Sequence, residues 1–380
     1  MKAAIQLLKE NRLSTGALSD GLSSEKVQLV LGFGQKDLLA DKSKYRVLRE
    51  MYPGAAILLC STAGEIFDAR VLDDTLSIAA VEFEKTRVKP VCTNIAAYAN
   101  SFEAGKFLAS GFSTDELCYL LVLSDGSLVN GSELVRGISE ITKNRIPVSG
   151  GLAGDAGNFT STLVGLNDDI ASGNIVAIGF YGKALKVGHG SMGGWDLFGP
   201  EKEVSKSSGN VLYEIDGKNA LDLYKTYLGK YSNELPGSAL LFPLSVTLPG
   251  SDTTVVRTIL SINEEEKTMT FAGDIPEHSQ VRFMKANFDR IVHAAGIAAK
   301  QTLALPIDNP PKLALLISCV GRKLILNNRI EEEVEAVNMA FQQKTLLTGF
   351  YSYGEISTLP GVLKCELHNQ TMTITTFDEA

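Results

Sequence analysis

GFYSYGEI, at Gly349–Ile356, follows an apolar, β-branched run and joins two glycines and two tyrosines to one acid. Gly354 can adopt a positive φ or let a ligand approach the backbone closely, which a Cβ would hinder. Glu355 stands beside the backbone N–H groups of that turn. Open α/β sheets place ligands at the carboxyl ends of their strands. We therefore predict that this stretch contributes to a binding site; the alternative is an ordinary glycine turn.

The same pattern occurs at two other places in the chain. AAILLC at Ala55–Cys60 leads into STAGE at Ser61–Glu65, and Val148 leads into SGGLAGD at Ser149–Asp155. Each turn places an acid directly after a glycine at the end of an apolar run. This recurrence favours the functional interpretation of the opening stretch.

Apolar runs alternate with amphipathic segments around these turns. Strands are predicted at Val27–Gly32, Ala55–Cys60, Thr75–Phe83, Leu117–Leu123, Asn174–Phe180, Lys312–Ile317 and Thr371–Phe377, and helices at Asp41–Met51, Ser132–Thr142 and Glu331–Phe341. Strands that are joined both by helices and by short turns predict an α/β fold with mixed sheets and with helices packed outside.

Two long segments share one order of predicted elements. Residues 75–155 and 268–355 both follow the plan ββαβαβ and end in a glycine–acid turn, and Ser124 lies 194 positions before Ser318 (318 − 124). We predict two related halves that arose by internal duplication, with chance similarity between α/β units as the alternative. Asn233–Ser238 contains proline and glycine and is the predicted boundary between domains 1–232 and 233–380.

The overall composition excludes several classes of protein. The 380 residues are 44% hydrophobic and 21% charged, with a formal net charge of −8, which is typical of globular proteins. Nucleic acids and anionic membranes bind clustered Lys and Arg, so we predict neither as a partner. No apolar run reaches about 18 residues, so no membrane insertion is predicted. The charged N-terminus is unlike a signal peptide, and Met1–Glu10 is predicted as a short amphipathic helix.

The cysteines and histidines indicate the compartment and the metal content. Five cysteines are scattered along the chain without a Cys-x-x-Cys pair: Cys60, Cys92, Cys118, Cys319 and Cys365. An odd and scattered set is typical of reduced thiols, which predicts a cytoplasmic protein. None of the four histidines stands at ligand spacing from a cysteine, so no metal site is predicted.

A series of short motifs resembles the FIST sensory domain family, in both its N-terminal and C-terminal domains. The matching pieces are Cys60–Ile66, Gly150–Asp155, Gly194–Pro200, Tyr213–Gly229, Phe242–Leu244, Val256–Arg257, Ser318–Arg322, Gly349–Ile356 and Leu367–Thr375. Together they span about residues 27–376. No single piece is specific, and the resemblance depends on their order and number.

The resemblance implies a cytoplasmic sensor rather than an enzyme. Such a domain binds a small molecule, for example an amino acid, and relays the signal to a partner. Family members occur alone or joined to histidine kinases, diguanylate cyclases or methyl-accepting modules, and some resemble haem proteins that sense nitric oxide. No kinase or cyclase signature follows residue 376, so we expect a signalling partner such as a histidine kinase or a diguanylate cyclase.

If the predicted halves pack face to face, their strand ends open into one cleft. The backbone of Gly151, Gly154 and Gly354 and the carboxylates of Asp155 and Glu355 would line it. An acid there can bind an ammonium group, which is one half of an amino acid.

Four further residue types complete the predicted pocket for an amino acid or organic acid. Ser318 supplies a hydroxyl, and the fork of Arg322 matches a carboxylate. Tyr351, Tyr353 and Trp195 would enclose the apolar part of the ligand. The alternatives are an ion pair of Arg322 with one of the acids at 331–333 and core packing of Trp195.

Two other functions remain possible from the sequence. A cysteine enzyme would use Cys319 or Cys60 as the nucleophile, with a base supplied by one of three histidines: His189, His293 or His368. The sequence has no Gly-x-Ser-x-Gly elbow and no phosphate loop. A haem sensor would need an axial ligand such as His293 or His189, although a lone histidine on an apolar helix is more often part of the core.

Overall fold

The computed structural model describes residues 1–10, 12–250, 253–303, 310–358 and 363–380. It is an α/β fold with mixed sheets, as predicted. Three of its sheets share one strand order, and a fourth is inserted into the third of them. None of the helices formed by the described residues has the length and apolar character needed to cross a lipid bilayer.

The first sheet is built mainly from the N-terminal part of the chain. In spatial order it consists of β12 (Asp169–Ala171), β11 (Val164–Leu166), β4 (Ala56–Ser61), β3 (Leu29–Gly34), β7 (Leu76–Glu82), β1 (Lys2–Lys9) and β2 (Arg12–Thr15). β3 and β4 are parallel, and β7 is antiparallel to both β3 and β1. Both faces of β3 are buried, which explains why its sequence is apolar without alternation.

The second and third sheets repeat this order. The second consists of β26 (Cys365–His368), β25 (Gly354–Thr358), β10 (Val148–Leu152), β9 (Leu117–Ser124), β13 (Asn174–Tyr181) and β8 (Arg87–Asn94). The third consists of β6 (Arg70–Leu72), β5 (Glu65–Phe67), β24 (Leu346–Ser352), β23 (Leu313–Cys319), β27 (Met372–Glu379) and β14 (Leu185–Met192). β9 is parallel to β10 and β23 is parallel to β24, so each sheet contains an equivalent βαβ unit.

The three units exchange hairpins in a cycle. The β5–β6 hairpin follows β4 in the chain but pairs with β24 of the third sheet. The β11–β12 hairpin follows β10 but pairs with β4, and the β25–β26 hairpin follows β24 but pairs with β10. The result is an approximate three-fold arrangement in which each unit completes the sheet of another.

A ring of backbone hydrogen bonds connects the three exchanged turns. Each turn donates one N–H to the strand end of the next unit: Ala63 to Tyr351 (2.8 Å), Gly154 to Ser61 (2.9 Å) and Tyr353 to Leu152 (3.1 Å). The three glycine-containing turns found in the sequence therefore meet at the centre of the fold.

The fourth sheet is inserted between β14 and the rest of the third unit. Its strands are β19 (Thr254–Arg257), β18 (Leu244–Thr247), β22 (Gln280–Lys285), β15 (Asp196–Ser208), β16 (Val211–Ile215), β21 (Thr268–Phe271) and β20 (Ile259–Asn263), and β17 (Lys218–Asn219) pairs with β16. Helix α5 (Ala220–Leu228) packs on this sheet, with Tyr224 and Phe283 in the shared core. We call residues 196–285 the inserted sheet.

Helices cover the outer faces of the sheets. They are α1 (Lys36–Ala40), α2 (Lys42–Met51), α3 (Ser101–Ser110), α4 (Gly131–Thr142), α6 (Phe288–Thr302), α7 (Val320–Leu326) and α8 (Glu331–Ala340), with 3-10 turns at Ser24–Lys26, Ile95–Ala97, Gly229–Glu234, Gly237–Leu241 and Asn327–Arg329. Several begin after an asparagine whose side chain accepts a first-turn N–H: Asn100, Asn130, Asn219 and Asn287. Such caps satisfy donors that the helix itself cannot pair.

Three expectations about organisation need comment. The duplication is not confirmed, because β7 lies in the first sheet while its proposed counterpart β21 lies in the inserted sheet; the regular feature is the three-fold unit. The predicted N-terminal helix is wrong, since Lys2–Lys9 forms β1 and pairs with β7. The division after residue 232 falls within the inserted sheet's part of the chain and stays a prediction.

Candidate functional site

The glycine–acid turns converge as predicted, but they pack directly on one another without a hollow between them. Gly151 lies opposite Glu355 in the β10–β25 ladder, and Leu152 lies opposite Gly354. A Cβ at Gly154 would lie 2.7 Å from the backbone nitrogen of Ala63. These glycines therefore allow close backbone contact instead of leaving space for a ligand.

A cavity of about 320 Å³ lies beside the second turn, between the strand ends of the second unit and the inserted sheet. Its lining consists of Gly126–Gly131, Leu152, Phe159, Asn210, Leu260, Phe271–Gly273 and Tyr353. It includes the loop after β9 and the first residue of α4, which is where α/β sheets commonly bind ligands. None of the lining residues carries a formal charge.

Large apolar side chains surround this cavity while remaining open to solvent. Leu128 is 60% exposed, Phe159 49% and Leu260 46%. Isolated exposed apolar residues are normal, but a group of them around one concave site is typical of a binding surface. The cavity can therefore bury the apolar part of a ligand.

Tyr353 forms the inner wall of the cavity and is held in position from two sides. Its ring stacks on Phe159, with centroids 4.4 Å apart. Its hydroxyl donates to the Asp155 carboxylate and accepts from the backbone N–H groups of Asp155 (3.2 Å) and Phe159 (3.1 Å). Tyr353, which the sequence predicts in a binding site, thus lines the cavity, and its contact with a ligand stays a prediction.

Asp155 organises the loop that carries Phe159. Its carboxylate accepts hydrogen bonds from the backbone of Phe159 (2.8 Å), Thr160 (2.9 Å) and Ser161 (3.0 Å). Burial raises the pKa of Asp155, but the hydrogen bonds from Tyr353, Ser161 and Thr160 outweigh it and hold this pKa below its ordinary value. Asp155 is thus occupied within the protein and is not free to bind a ligand ammonium as predicted.

Asp125 has a similar role and was not among the predicted site residues. It is fully buried and accepts from the backbone of Ser127 (2.8 Å), Leu128 (2.7 Å) and Gly173 (2.9 Å). It thereby fixes the loop at the mouth of the cavity. The Ser-Asp-Gly sequence after an apolar strand is the signal that could have identified it.

Tyr353→Phe tests whether this hydroxyl positions the loop. The variant keeps the stacked ring but removes one donor to Asp155 and one acceptor for two N–H groups. We expect a loss of about 1–3 kcal/mol in the free energy of unfolding, the cost of leaving such groups unpaired, measured by urea denaturation. Tyr231→Phe, at a tyrosine that is 37% exposed, is the control; equal losses in both variants would contradict the assignment.

Ser318, Arg322 and Tyr351 lie together, but around the buried acid Glu333 and not around a cavity. Ser318 Oγ and Tyr351 Oη donate to Glu333 Oε1 at 3.0 and 2.8 Å, and Arg322 Nη2 lies 2.7 Å from Oε2. All four side chains are buried. The structure therefore contains the alternative arrangement, in which Arg322 forms an ion pair with one of the acids at 331–333, namely Glu333.

Arg322 has no donor left for a ligand. Its Nε bonds Glu333 at 2.9 Å, and its terminal nitrogens also donate to three carbonyls, those of Gly193 (2.6 Å), Ile291 (2.8 Å) and Gln370 (3.4 Å). With the Nη2 contact to Glu333, these bonds use all five N–H groups of the guanidinium. In this arrangement Arg322 serves the buried ion pair, and its binding of a ligand carboxylate stays a prediction that would require these bonds to break.

Glu355 and Glu65 are buried acids in equivalent turns. Glu355 accepts from Ser352 Oγ (2.7 Å) and from the N–H and hydroxyl of Thr371 (3.1 and 2.9 Å). Burial raises the pKa of Glu355 to about 8 and that of Glu65 to about 7. Both acids hold turns together and lie outside the cavity lining, so Glu355 is a structural group here and not a ligand contact.

Trp195 lies in a small core with Met284, Ile291 and Leu326, away from the cavity lining. Its Nε1 donates to the carbonyl of Gln370 at 3.0 Å. This is the core-packing alternative, because a buried indole N–H needs such a partner. Trp195 is therefore not part of the cavity lining, and its contact with a ligand stays a prediction.

The thiols and imidazoles do not form the chemistry that the alternative functions need. Cys60 and Cys319 are buried, and burial raises the pKa of both thiols well above the ordinary value, which opposes formation of a thiolate. Burial lowers the pKa of His189 and His368 to about 4. Among the described residues, no three His, Cys, Asp or Glu side chains are grouped so that they could hold a metal ion.

A haem group does not fit the histidines that the sequence offered. His189 is enclosed, with its ring 5.4 Å from that of Tyr119, and His293 is exposed on α6. Neither lines the cavity described above. An axial ligand must face a space large enough for the porphyrin, so this cavity offers neither histidine as a ligand.

Comparison with known proteins agrees with the motifs. Residues 18–218 match the FIST N domain and residues 220–358 match the FIST C domain. FIST domains are sensory domains of signal-transduction proteins. Together the two matches cover nearly the whole chain, so this protein belongs to the FIST family.

A relative and a solved structure are also similar to the chain. It is 28% identical over 212 residues, 50% of its length, to the uncharacterized protein MJ1623 of Methanocaldococcus jannaschii, and spans only 39% of that protein. A cyanuric acid hydrolase from A. caulinodans has a TM-score of 0.40 and 6% identity, over 94% of this chain and 91% of that one. Neither similarity identifies an activity.

Proposed function

We propose that this chain is a non-enzymatic sensory domain that binds a small metabolite in the cavity beside Tyr353 and relays binding to a signalling partner. The observation that carries the proposal is the position of the cavity. It lies between the loop after β9 and the inserted sheet, so a ligand there contacts two parts of the fold at once. A ligand that favours one arrangement of these parts shifts the population toward it, and a partner such as a histidine kinase or a diguanylate cyclase could detect the shift.

The lining limits the class of ligand. Stacked aromatic rings and exposed leucines suit a flat, apolar group, and the amides of Asn130 and Asn210 suit a few polar atoms. A free amino acid would bring an ammonium group, and no lining carboxylate is available to it. We therefore favour a neutral metabolite over the zwitterionic amino acid expected from the family resemblance, since the lining offers neither an acid nor a cation.

Filling the cavity tests this function. Ala272 lies in the lining, and we expect Ala272→Trp to abolish stabilisation by any metabolite that raises the Tm of the wild-type protein in a thermal-shift screen. Binding at a hundred times Kd contributes about 2.7 kcal/mol, which gives about 3–4 °C in a chain of 380 residues.

Ala99→Trp, at an exposed alanine outside the cavity, is the matched control and should respond like wild type. The screen should include neutral aromatic metabolites, organic acids, amino acids and haem, and any molecule that copurifies should be identified by mass spectrometry. Unchanged ligand response in Ala272→Trp would place the binding site elsewhere.

A further inference from the structure

Arg257 is a buried cation without a carboxylate partner. It is 2% exposed, and its Nε donates to the carbonyl of Asp274 at 2.9 Å. Its Nη1 donates to the carbonyls of Leu367 (2.9 Å) and Val256 (3.3 Å). Among the described residues, no acidic oxygen lies within 4.0 Å of this guanidinium.

This arrangement differs from that of the other large buried cation. Arg322 has the carboxylate of Glu333 at 2.7 Å, whereas Arg257 forms no ion pair among the described residues and interacts with the carboxylates of Glu366 and Asp274 only at longer range. Burial lowers the pKa of Arg257 to about 10, which still leaves it charged at neutral pH. A buried charge without a contacting counter-ion is costly, and the more distant carboxylates of Glu366 and Asp274 offset that cost only in part, because the pKa remains below its ordinary value.

Arg257 lines a second cavity, of about 300 Å³, between α4, the inserted sheet and β26. Arg136 and Lys364 line it as well. Its two acids are already engaged: Asp274 accepts from Asn130 at 2.9 Å, and Glu366 pairs with Lys364 at 2.8 Å. Arg257 and Arg136 are therefore the cations that can face an occupant, although Arg136 also has a long contact with Glu133, at 3.7 Å.

We propose that this second cavity binds a small oxyanion, namely the carboxylate or phosphate group of a metabolite, between Arg257 and Arg136. Arginine N–H groups form strong charge-assisted bonds with both kinds of group. The hydroxyls of Ser132 and Ser139 on α4 line the same space and can donate to the anion. The Asn130–Asp274 contact separates this second cavity from the cavity beside Tyr353. The proposed oxyanion site does not depend on the function proposed for the cavity beside Tyr353.

Binding is tested directly with two simple probes. Sodium phosphate and sodium succinate are titrated against the wild-type chain by calorimetry and by thermal shift, with sodium chloride at equal ionic strength as the reference. We expect at least one probe to raise the Tm by several degrees above the chloride reference, with saturation. The stronger probe shows whether phosphate or carboxylate is preferred. If neither exceeds chloride, the proposal is overturned.

Variants around the cavity decide where the probe binds. Arg257→Gln is expected to abolish binding, but it can also unfold the chain. Arg136→Ala, at an exposed side chain on α4, is therefore included and should weaken the apparent Kd about tenfold, while Ser139→Phe should block the cavity without changing its charge. Wild-type affinity in both of these variants would overturn the assignment.

Two controls complete the test. Lys143→Ala removes an exposed cation that pairs with Glu140 at 2.8 Å outside the cavity, and it should bind the probe like wild type. Ala272→Trp fills the cavity beside Tyr353 and should also retain oxyanion binding. A loss in Lys143→Ala as large as that in Arg136→Ala would show general charge screening and would overturn the site.

Discussion

Arg322→Ala is expected to destabilise the folded chain by about 3–5 kcal/mol, the usual cost of removing one partner of a buried ion pair. Glu333 would remain buried with only the hydroxyls of Ser318 and Tyr351 as donors, and the carbonyls of Gly193 and Ile291 would lose their hydrogen bonds. Urea denaturation monitored by circular dichroism measures the change. The expected defect is in stability, and not in recognition of a ligand carboxylate.

Arg329→Ala is the matched control for this prediction. Arg329 pairs with Glu332 and Asp289 at 2.8 Å, but its side chain is 42% exposed. Exposed pairs contribute up to about 1 kcal/mol, so the control should lose no more than that. Similar losses in the free energy of unfolding at both positions would show that burial does not strengthen the contribution of the Arg322–Glu333 pair to stability.

Glu355 is expected to make the fold less stable as the pH rises. Its pKa is raised by burial from 4.5 to about 8, so between these values the folded chain holds a proton that the unfolded chain releases. Stability is then fully present below pH 4.5, falls as the pH rises, and levels off above pH 8. At 1.36 kcal/mol per pKa unit, the loss between pH 5 and pH 9 should be about 2–4 kcal/mol.

Glu355→Gln isolates this contribution, because glutamine can keep the bonds to Ser352 and Thr371 but does not titrate. The free energy of unfolding is measured in wild type and variant at pH 5 and pH 9. The fall in wild type should exceed that in the variant by the amount given above. Glu65, whose pKa burial raises to about 7, remains in both proteins and cancels in the comparison. Equal falls would mean that Glu355 is ionised in the folded state throughout this range.

Much of the local structure follows from the sequence, because its signals are short in range. Amphipathic periodicity located α2, α4 and α8, and apolar runs located β9 and β23, within a few residues. The N-terminal segment was an exception. Its polar residues Lys2, Gln6 and Lys9 recur every three or four positions, which is compatible with a short helix, and only pairing with β7 makes it a strand.

The sequence also identified the three glycine-containing turns that meet at the centre of the fold. It did not show which residues these turns contact. Tyr353 was predicted in a site and lies at the cavity, whereas Arg322 and Trp195 have the same kinds of chemistry and serve the core. Whether an arginine binds a ligand or an internal acid depends on which side chains a distant helix brings to it. No local pattern contains that information.

The sequence by itself determined the α/β class, the family and the three glycine-containing turns. The tertiary structure alone decided the cyclic exchange of hairpins, the two cavities beside the inserted sheet and the burial of Arg257 without an ion pair among the described residues. The physical reason is range: propensity and periodicity act within about a dozen residues of the chain. Burial, by contrast, is set by contacts between residues more than a hundred positions apart, such as Arg257 and Leu367.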